Sequence, residues 1–165
     1  MTRRLAFLLF ALTLLAASQS KSAPAGVLGP QDVKDILPAS VFFQGQSAPV
    51  QMRNSGGVRT AQGKLILAAL VDTSGYASNV AEKYQAYLLT EVEIKIEGKA
   101  LPPGAYGFGF VGDKFNVMDI GGHELLNVSA HMDAELHRPV PLRVAQSGSA
   151  YRLYFGKKFV EFAPA

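Results

Sequence analysis

The chain has no cysteine among its 165 residues. That absence removes a disulfide framework, a thiol nucleophile and a bacterial lipid anchor, so packing alone must hold the fold. Tryptophan is also missing, and histidine occurs only three times. After the first twenty residues no apolar run approaches the roughly 20 residues that a membrane-spanning helix needs. Neither charge sign dominates: 16 Lys and Arg stand against 13 Asp and Glu, and Arg3 and Arg4 both fall in the N-terminal leader. No dense basic cluster interleaved with aromatics is present, which speaks against nucleic acid as a partner. From Arg138 onward, Arg138, Arg143, Arg152, Lys157 and Lys158 face only Glu161. Such a stretch reads as a solvated basic face or as a surface for an acidic partner. There is no phosphate-binding loop, no Gly-x-Ser-x-Gly elbow and no internal repeat.

What is present begins with an export pattern. Arg3 and Arg4 precede an apolar run over residues 5–17, and Ala16, Ala17 and Ser18 form a small-residue cleavage region. These are the parts of a secretory signal. The expected organisation is a signal peptide over 1–20, a flexible leader over 21–29 and one β domain over 30–165. The mature protein is then periplasmic or extracellular and free of the membrane, and its roughly 145 residues are enough to bury a core.

The strongest β signal runs over residues 91–119. Val92, Ile94 and Ile96 alternate with Glu91, Glu93, Lys95 and Glu97, the period of a strand with one buried face. Pro102, Pro103 and Gly104 then turn the chain. In the next strand Tyr106, Phe108 and Phe110 alternate with Gly107 and Gly109. Gly112-Asp113 suits a two-residue hairpin loop. That loop sets Phe110 opposite Phe115, Phe108 opposite Val117, Gly109 opposite Asn116 and Gly107 opposite Met118. The aromatic side becomes core, and the glycines leave room either for a covering side chain, with Met118 the candidate, or for a ligand. The same register brings Asp119 beside the Tyr106 phenol.

Elsewhere, Pro30, Asp32, Val33, Ile36 and Leu37 fit one short helix ended before Pro38. Residues 41–44 and 50–53 read as short strands separated by a loop. Residues 63–72 are apolar almost throughout, as in a strand buried on both faces. A short helix is expected near 78–86, a strand over 88–97, and further strands over 125–132, 140–145, 150–155 and 158–162. The fold class is all-β: an antiparallel sandwich or barrel of about eight to nine short strands with one short N-terminal helix.

The segment Gly98-Lys99-Ala100-Leu101-Pro102-Pro103-Gly104-Ala105-Tyr106 carries a Gly-Lys-x-Leu-x-x-Gly-x-Tyr pattern after an alternating strand. In this it resembles exported bacterial β-sandwich proteins of uncharacterised role, although it lacks the tryptophans expected of them. The resemblance covers roughly 30 residues of structural type; it implies a β fold and an extracytoplasmic setting, with no catalytic residue carried over.

Two candidate chemistries remain. Asp72-Thr73-Ser74-Gly75 resembles the Asp-Thr-Gly loop of aspartic proteases, and Asp119-Ile120-Gly121 resembles a degraded second copy. A hydrolase would use Asp72 and/or Asp119, either the two together with one ionised and one protonated or, in a dimer, one from each subunit. Metal binding would have to recruit His123, Glu124, His131, Asp133 and His137, whose spacing offers no close ligand pair, so no metal or cofactor is expected. The preferred reading is a non-catalytic domain that binds a protein partner or small ligand. Its candidate surface is the uncharged polar cluster Gln44, Gln46 and Gln51 with Arg53, joined by Tyr84 and Tyr87.

Overall fold

The computed structural model describes residues 24–165, so the export signal read over 1–20 lies outside the described residues. In chain order the elements are β1 (Gly26–Leu28), α1 (Pro30–Val33), β2 (Ser40–Phe43), β3 (Gln46–Arg59), β4 (Leu65–Val71), α2 (Ser78–Ala81) and β5 (Ala86–Thr90). There follow β6 (Ile94–Ile96), β7 (Lys99–Leu101), β8 (Gly104–Val111), β9 (Lys114–Met118), β10 (Glu124–Ser129) and β11 (His131–Met132). The chain closes with β12 (Arg143–Ser147), β13 (Ala150–Phe155) and β14 (Lys158–Pro164). Every pairing is antiparallel.

Two sheets result. The first orders β1-β3-β4-β5-β8-β9-β10 with β2 added along β3, and the second orders β12-β13-β14-β6-β7 with β11 added along β14. They pack face to face as a sandwich and do not close into a barrel. The first sheet ends at β1 on one side and at β10 on the other, and the second sheet ends at β12 and β7.

β4 shows why its sequence has so little polar character. Ile66, Ala68 and Leu70 enter the core between the sheets, where they join Phe108, Phe115 and Val160. Leu67, Ala69 and Val71 enter a second core on the outer face, beneath α1 and the β2–β3 hairpin. Each fully buried Ile, Leu or Val side chain contributes about 1.5–3 kcal/mol of burial, so a polar residue on either face of this strand is selected against.

The alternation over residues 91–97 conceals a break. β5 ends at Thr90 in the first sheet, residues 91–93 cross over, and β6 begins at Ile94 in the second. Ile94 and Ile96 are buried as the alternation requires, and Val92 packs against the same core. Thr90 secures the crossover: its hydroxyl donates to the Val92 carbonyl at 2.6 Å and accepts from the Val92 amide at 3.3 Å. After the β6–β7 hairpin the chain returns through Pro102-Pro103 to β8, which pairs with β5. The Gly-Lys-x-Leu-x-x-Gly-x-Tyr pattern is the hardware of this return. Gly98 takes φ +78° in the turn, Leu101 is buried, and the Tyr106 hydroxyl donates to the Pro102 carbonyl at 2.8 Å. A Cβ on Gly104 would lie 2.7 Å from that hydroxyl. The phenol therefore latches the turn four residues upstream, as in a tyrosine corner, and does not meet Asp119.

The β8–β9 register is the one that the Gly112-Asp113 loop implies. The cover over the glycines is different. A Cβ on Gly107 would meet the Phe43 and Tyr84 rings at 2.8 Å, and a Cβ on Gly109 would enter the Lys83 carbonyl. Met118 belongs to the same outer core without being the lid. Phe43 and Tyr84 stack with centroids 3.9 Å apart, and Tyr76 meets both edge-on. These rings come from distant parts of the chain, so local alternation cannot announce them.

Three other expectations are corrected. Residues 41–53 do not form two strands around a loop: Gln44 (φ +46°) and Gly45 (φ +79°) make a tight turn into the single long strand β3. β3 first pairs with β2 and then with β4, with an irregular register between Val50 and Ser55. Residues 26–28, read from composition as leader, form β1 against β3. Residues 125–132 divide into β10 and β11, which belong to different sheets.

Candidate functional site

The polar residues singled out in the sequence do not form one surface. Gln44 docks the β2–β3 turn onto the loop after β9, its backbone amide donating to the Ile120 carbonyl at 2.8 Å and its side chain to the Gly121 carbonyl at 3.4 Å. The Gln46 carbonyl accepts from the Tyr76 hydroxyl at 3.1 Å, so this residue also serves the turn. Gln51 donates to the Val71 carbonyl at 3.4 Å and accepts from Asn54 at 2.9 Å, bracing the irregular stretch of β3. Tyr84 is fully buried and so presents no surface; burial pushes its phenol well above the usual range, and the hydroxyl has no partner. Tyr87 is half-buried on β5 and packs on the outer core; burial raises its pKa too. A strand at about 3.3 Å per residue spreads its side chains, so a dense polar sequence does not make a polar site.

Arg53 is the exception. It lies on the irregular part of β3 at the side of the sandwich where β1 and β12 end the two sheets. There a groove of about 340 Å³ is lined by residues 27–30, 53–56 and 140–144. A volume of this order falls within the range of ligand clefts. The gap between the sheets, about 10 Å³, holds no more than a water. Val27 and Val140 stand on the groove 40% and 43% exposed, high values for large apolar side chains. Two arginines line it and no Asp or Glu does. Arg143 lays its guanidinium over the Tyr154 ring at 4.8 Å from the centroid, and its Nε is buried without a partner. The ion pairs among the described residues are His123–Asp119, His131–Glu97 and Arg152–Glu161, none of which includes Arg53 or Arg143; the Asp32 carboxylate at the groove's rim is engaged by the Gly29 amide at 2.8 Å. Gly56 forms part of the wall because a Cβ there would lie 3.0 Å from the Leu28 carbonyl. Arg143 was legible in the sequence only as one member of a basic stretch; its meeting with Arg53 depends on how the two sheet edges face each other.

The two aspartates of the hydrolase reading each close a turn of their own. The Asp72 carboxylate accepts the Ser74 amide at 3.0 Å, and hydrogen bonding to Ser74 holds its pKa below the usual value. Asp119 accepts the amides of His123 at 3.0 Å and Gly121 at 2.9 Å, and meets the His123 Nδ1 at 2.9 Å. Its pKa is lowered as well, chiefly by the His123 amide. Of the remaining metal candidates, His131 bonds Glu97 at 3.1 Å and Asp133 accepts the Tyr154 hydroxyl at 2.9 Å. Among the described residues no group of three His, Asp or Glu side chains is arranged to hold a metal.

No family model, curated protein or solved structure matches the chain.

Proposed function

We propose that this protein is an exported, non-catalytic β-sandwich domain whose role is to capture an acidic partner segment, which docks in the groove beside Arg53. The observation that carries this reading is the groove's composition: two arginines that belong to no ion pair and no Asp or Glu in the lining, set among exposed apolar side chains. Such a surface attracts carboxylates, and its apolar rim gives the chain that bears them something to pack against. The secretory pattern of residues 1–20 and the resemblance carried by residues 98–106 support an extracytoplasmic setting. For the alternative, a hydrolase built on Asp72 and Asp119, two carboxyls sharing a proton need one pKa raised. Both are lowered, and each is engaged in a separate turn.

Fluorescence anisotropy with labelled peptides tests the proposal. The probes are a peptide alternating Asp with Val and its Lys-for-Asp counterpart. The acidic probe binds and the basic one does not, and Arg53→Glu weakens binding at least tenfold, as loss of one charged hydrogen bond implies. Equal binding of both probes, or an unchanged affinity in Arg53→Glu, overturns the reading. Arg53 is exposed, so the substitution leaves the fold intact.

A further inference from the structure

A second cleft, also of about 340 Å³, lies on the opposite side of the sandwich, where β10 ends the first sheet and β7 ends the second. It is lined by Lys99, Lys114, Asn127, Ser129, His131 and Glu97 among others. The Lys99 Nζ donates to the Asn127 carbonyl at 3.4 Å, and the Lys114 Nζ donates to the Ser129 Oγ at 3.1 Å. Both ammonium groups rest on neutral oxygens, and each keeps two N–H bonds for another acceptor. The Ser129 hydroxyl accepts from Lys114 and so has its own proton left to donate.

The one acid in the lining is already committed, and Glu124 at its border accepts from the Asn127 side chain at 3.5 Å. Glu97 sits in the β6–β7 turn at φ +47°, a backbone conformation that residues with a side chain rarely adopt. Its Oε1 accepts the Glu161 amide, at 2.6 Å, and its Oε2 meets the His131 Nε2 at 3.1 Å. With both oxygens engaged, this carboxylate forms an ion pair with neither lysine. In the Gly-Lys-x-Leu-x-x-Gly-x-Tyr pattern, Lys99 is the charged member, and its side chain serves neither the turn nor the core.

From this geometry we infer that the β7–β10 edge is a binding site for a tetrahedral oxyanion, a phosphate or sulfate group that is either free or borne on a polymer. Asn127 and Ser129 lie two residues apart on β10, so both ammonium groups rest on one short stretch of this edge strand. One anion between them accepts a charge-assisted bond from each lysine through a different oxygen. The Ser129 hydroxyl supplies a third, directional bond, and His131 borders the same space. This site is independent of the Arg53 groove.

The test is an NMR titration of the full chain with sodium phosphate and sodium sulfate against chloride at matched ionic strength, with dextran sulfate and neutral dextran as the polymer arm. The amides of Lys99, Lys114, Ser129 and His131 shift saturably with the oxyanion and not with chloride. The double variant Lys99→Gln/Lys114→Gln raises Kd at least tenfold, and Ser129→Ala raises it severalfold without altering charge. Lys95→Gln, on the same β6–β7 hairpin but outside the cleft, leaves Kd unchanged. Saturable binding of the free anions, or of dextran sulfate alone, upholds the site and identifies the source. Binding of neither overturns it, as does equal sensitivity to Lys95→Gln and Lys99→Gln with none to Ser129→Ala, the pattern of general electrostatics. An unchanged circular dichroism spectrum of the double variant keeps a loss of binding attributable to the site.

Discussion

Gly109→Ala puts the glycine face of β8 to a direct test. The new methyl carbon would lie 2.9 Å from the Lys83 carbonyl carbon and 3.2 Å from the Gln85 Cδ. Carbon atoms reach optimal separation at about 3.5–4.0 Å, so the segment above the strand must retreat by roughly 1 Å. That segment is not free to move. The Gln85 amide donates to the Phe108 carbonyl at 2.9 Å, and its side chain accepts the Phe110 amide at 2.9 Å and donates to the Phe110 carbonyl at 3.3 Å. Overpacking costs about 1–3 kcal/mol, and each of these hydrogen bonds that is strained or lost adds about 0.5–1.5 kcal/mol. Alanine recovers about 0.5–1 kcal/mol of backbone entropy. The net loss is about 2–4 kcal/mol, read in urea denaturation as a lowered midpoint at constant slope. A change under about 0.5 kcal/mol would show that residues 83–85 do not seat on the sheet and that this face is open to a ligand after all.

Three smaller perturbations follow from the same contacts. Tyr106→Phe removes the latch on the Pro102 carbonyl and costs about 1 kcal/mol in the same assay, with no cost if the return turn is held by packing alone. Tyr84→Phe removes a buried hydroxyl without a partner, so stability holds or rises by up to about 1 kcal/mol; a loss of that size reveals a bond to the phenol. The Asp119 pKa lies below 3.8 in the folded chain, so its contribution to the 119–123 turn is complete above that pH and fades as pH falls through the folded value. NMR of the His123 amide reports this as a shift in that acidic window, and Asp119→Asn abolishes it.

The contrast between what could and could not be read from the sequence has a physical basis. Alternation reports which face of a strand is buried, so Ile94, Ile96, Phe108 and Phe110 were legible as core, as was the double burial of β4. A two-residue loop with Gly first sets register, so the β8–β9 pairing was legible from Gly112-Asp113. Alternation says nothing about which sheet a strand joins. The crossover at residues 91–93 therefore leaves no periodic signature, because Val92 packs on the same core as Ile94 although it lies outside both sheets. β3 was hidden because Pro49, Gly56, Gly57 and its run of polar residues break every periodic signal while the backbone is paired on both sides of the irregular stretch 51–54. The candidate surface failed as a unit for a related reason: its glutamines satisfy turns and irregular backbone, and only Arg53 reaches an open groove. Both clefts arise where the two sheets end together, a meeting that depends on sheet order and has no local signature.

The measurement that bears most directly on the groove as a docking surface is amide NMR mapping on the full chain during titration with the alternating Asp/Val peptide. The predicted result is saturable shifts at Leu28, Arg53, Ser55, Gly56 and Val144, lost in Arg53→Glu. Shifts confined to the Lys99 and Lys114 edge, or none at all, contradict the claim.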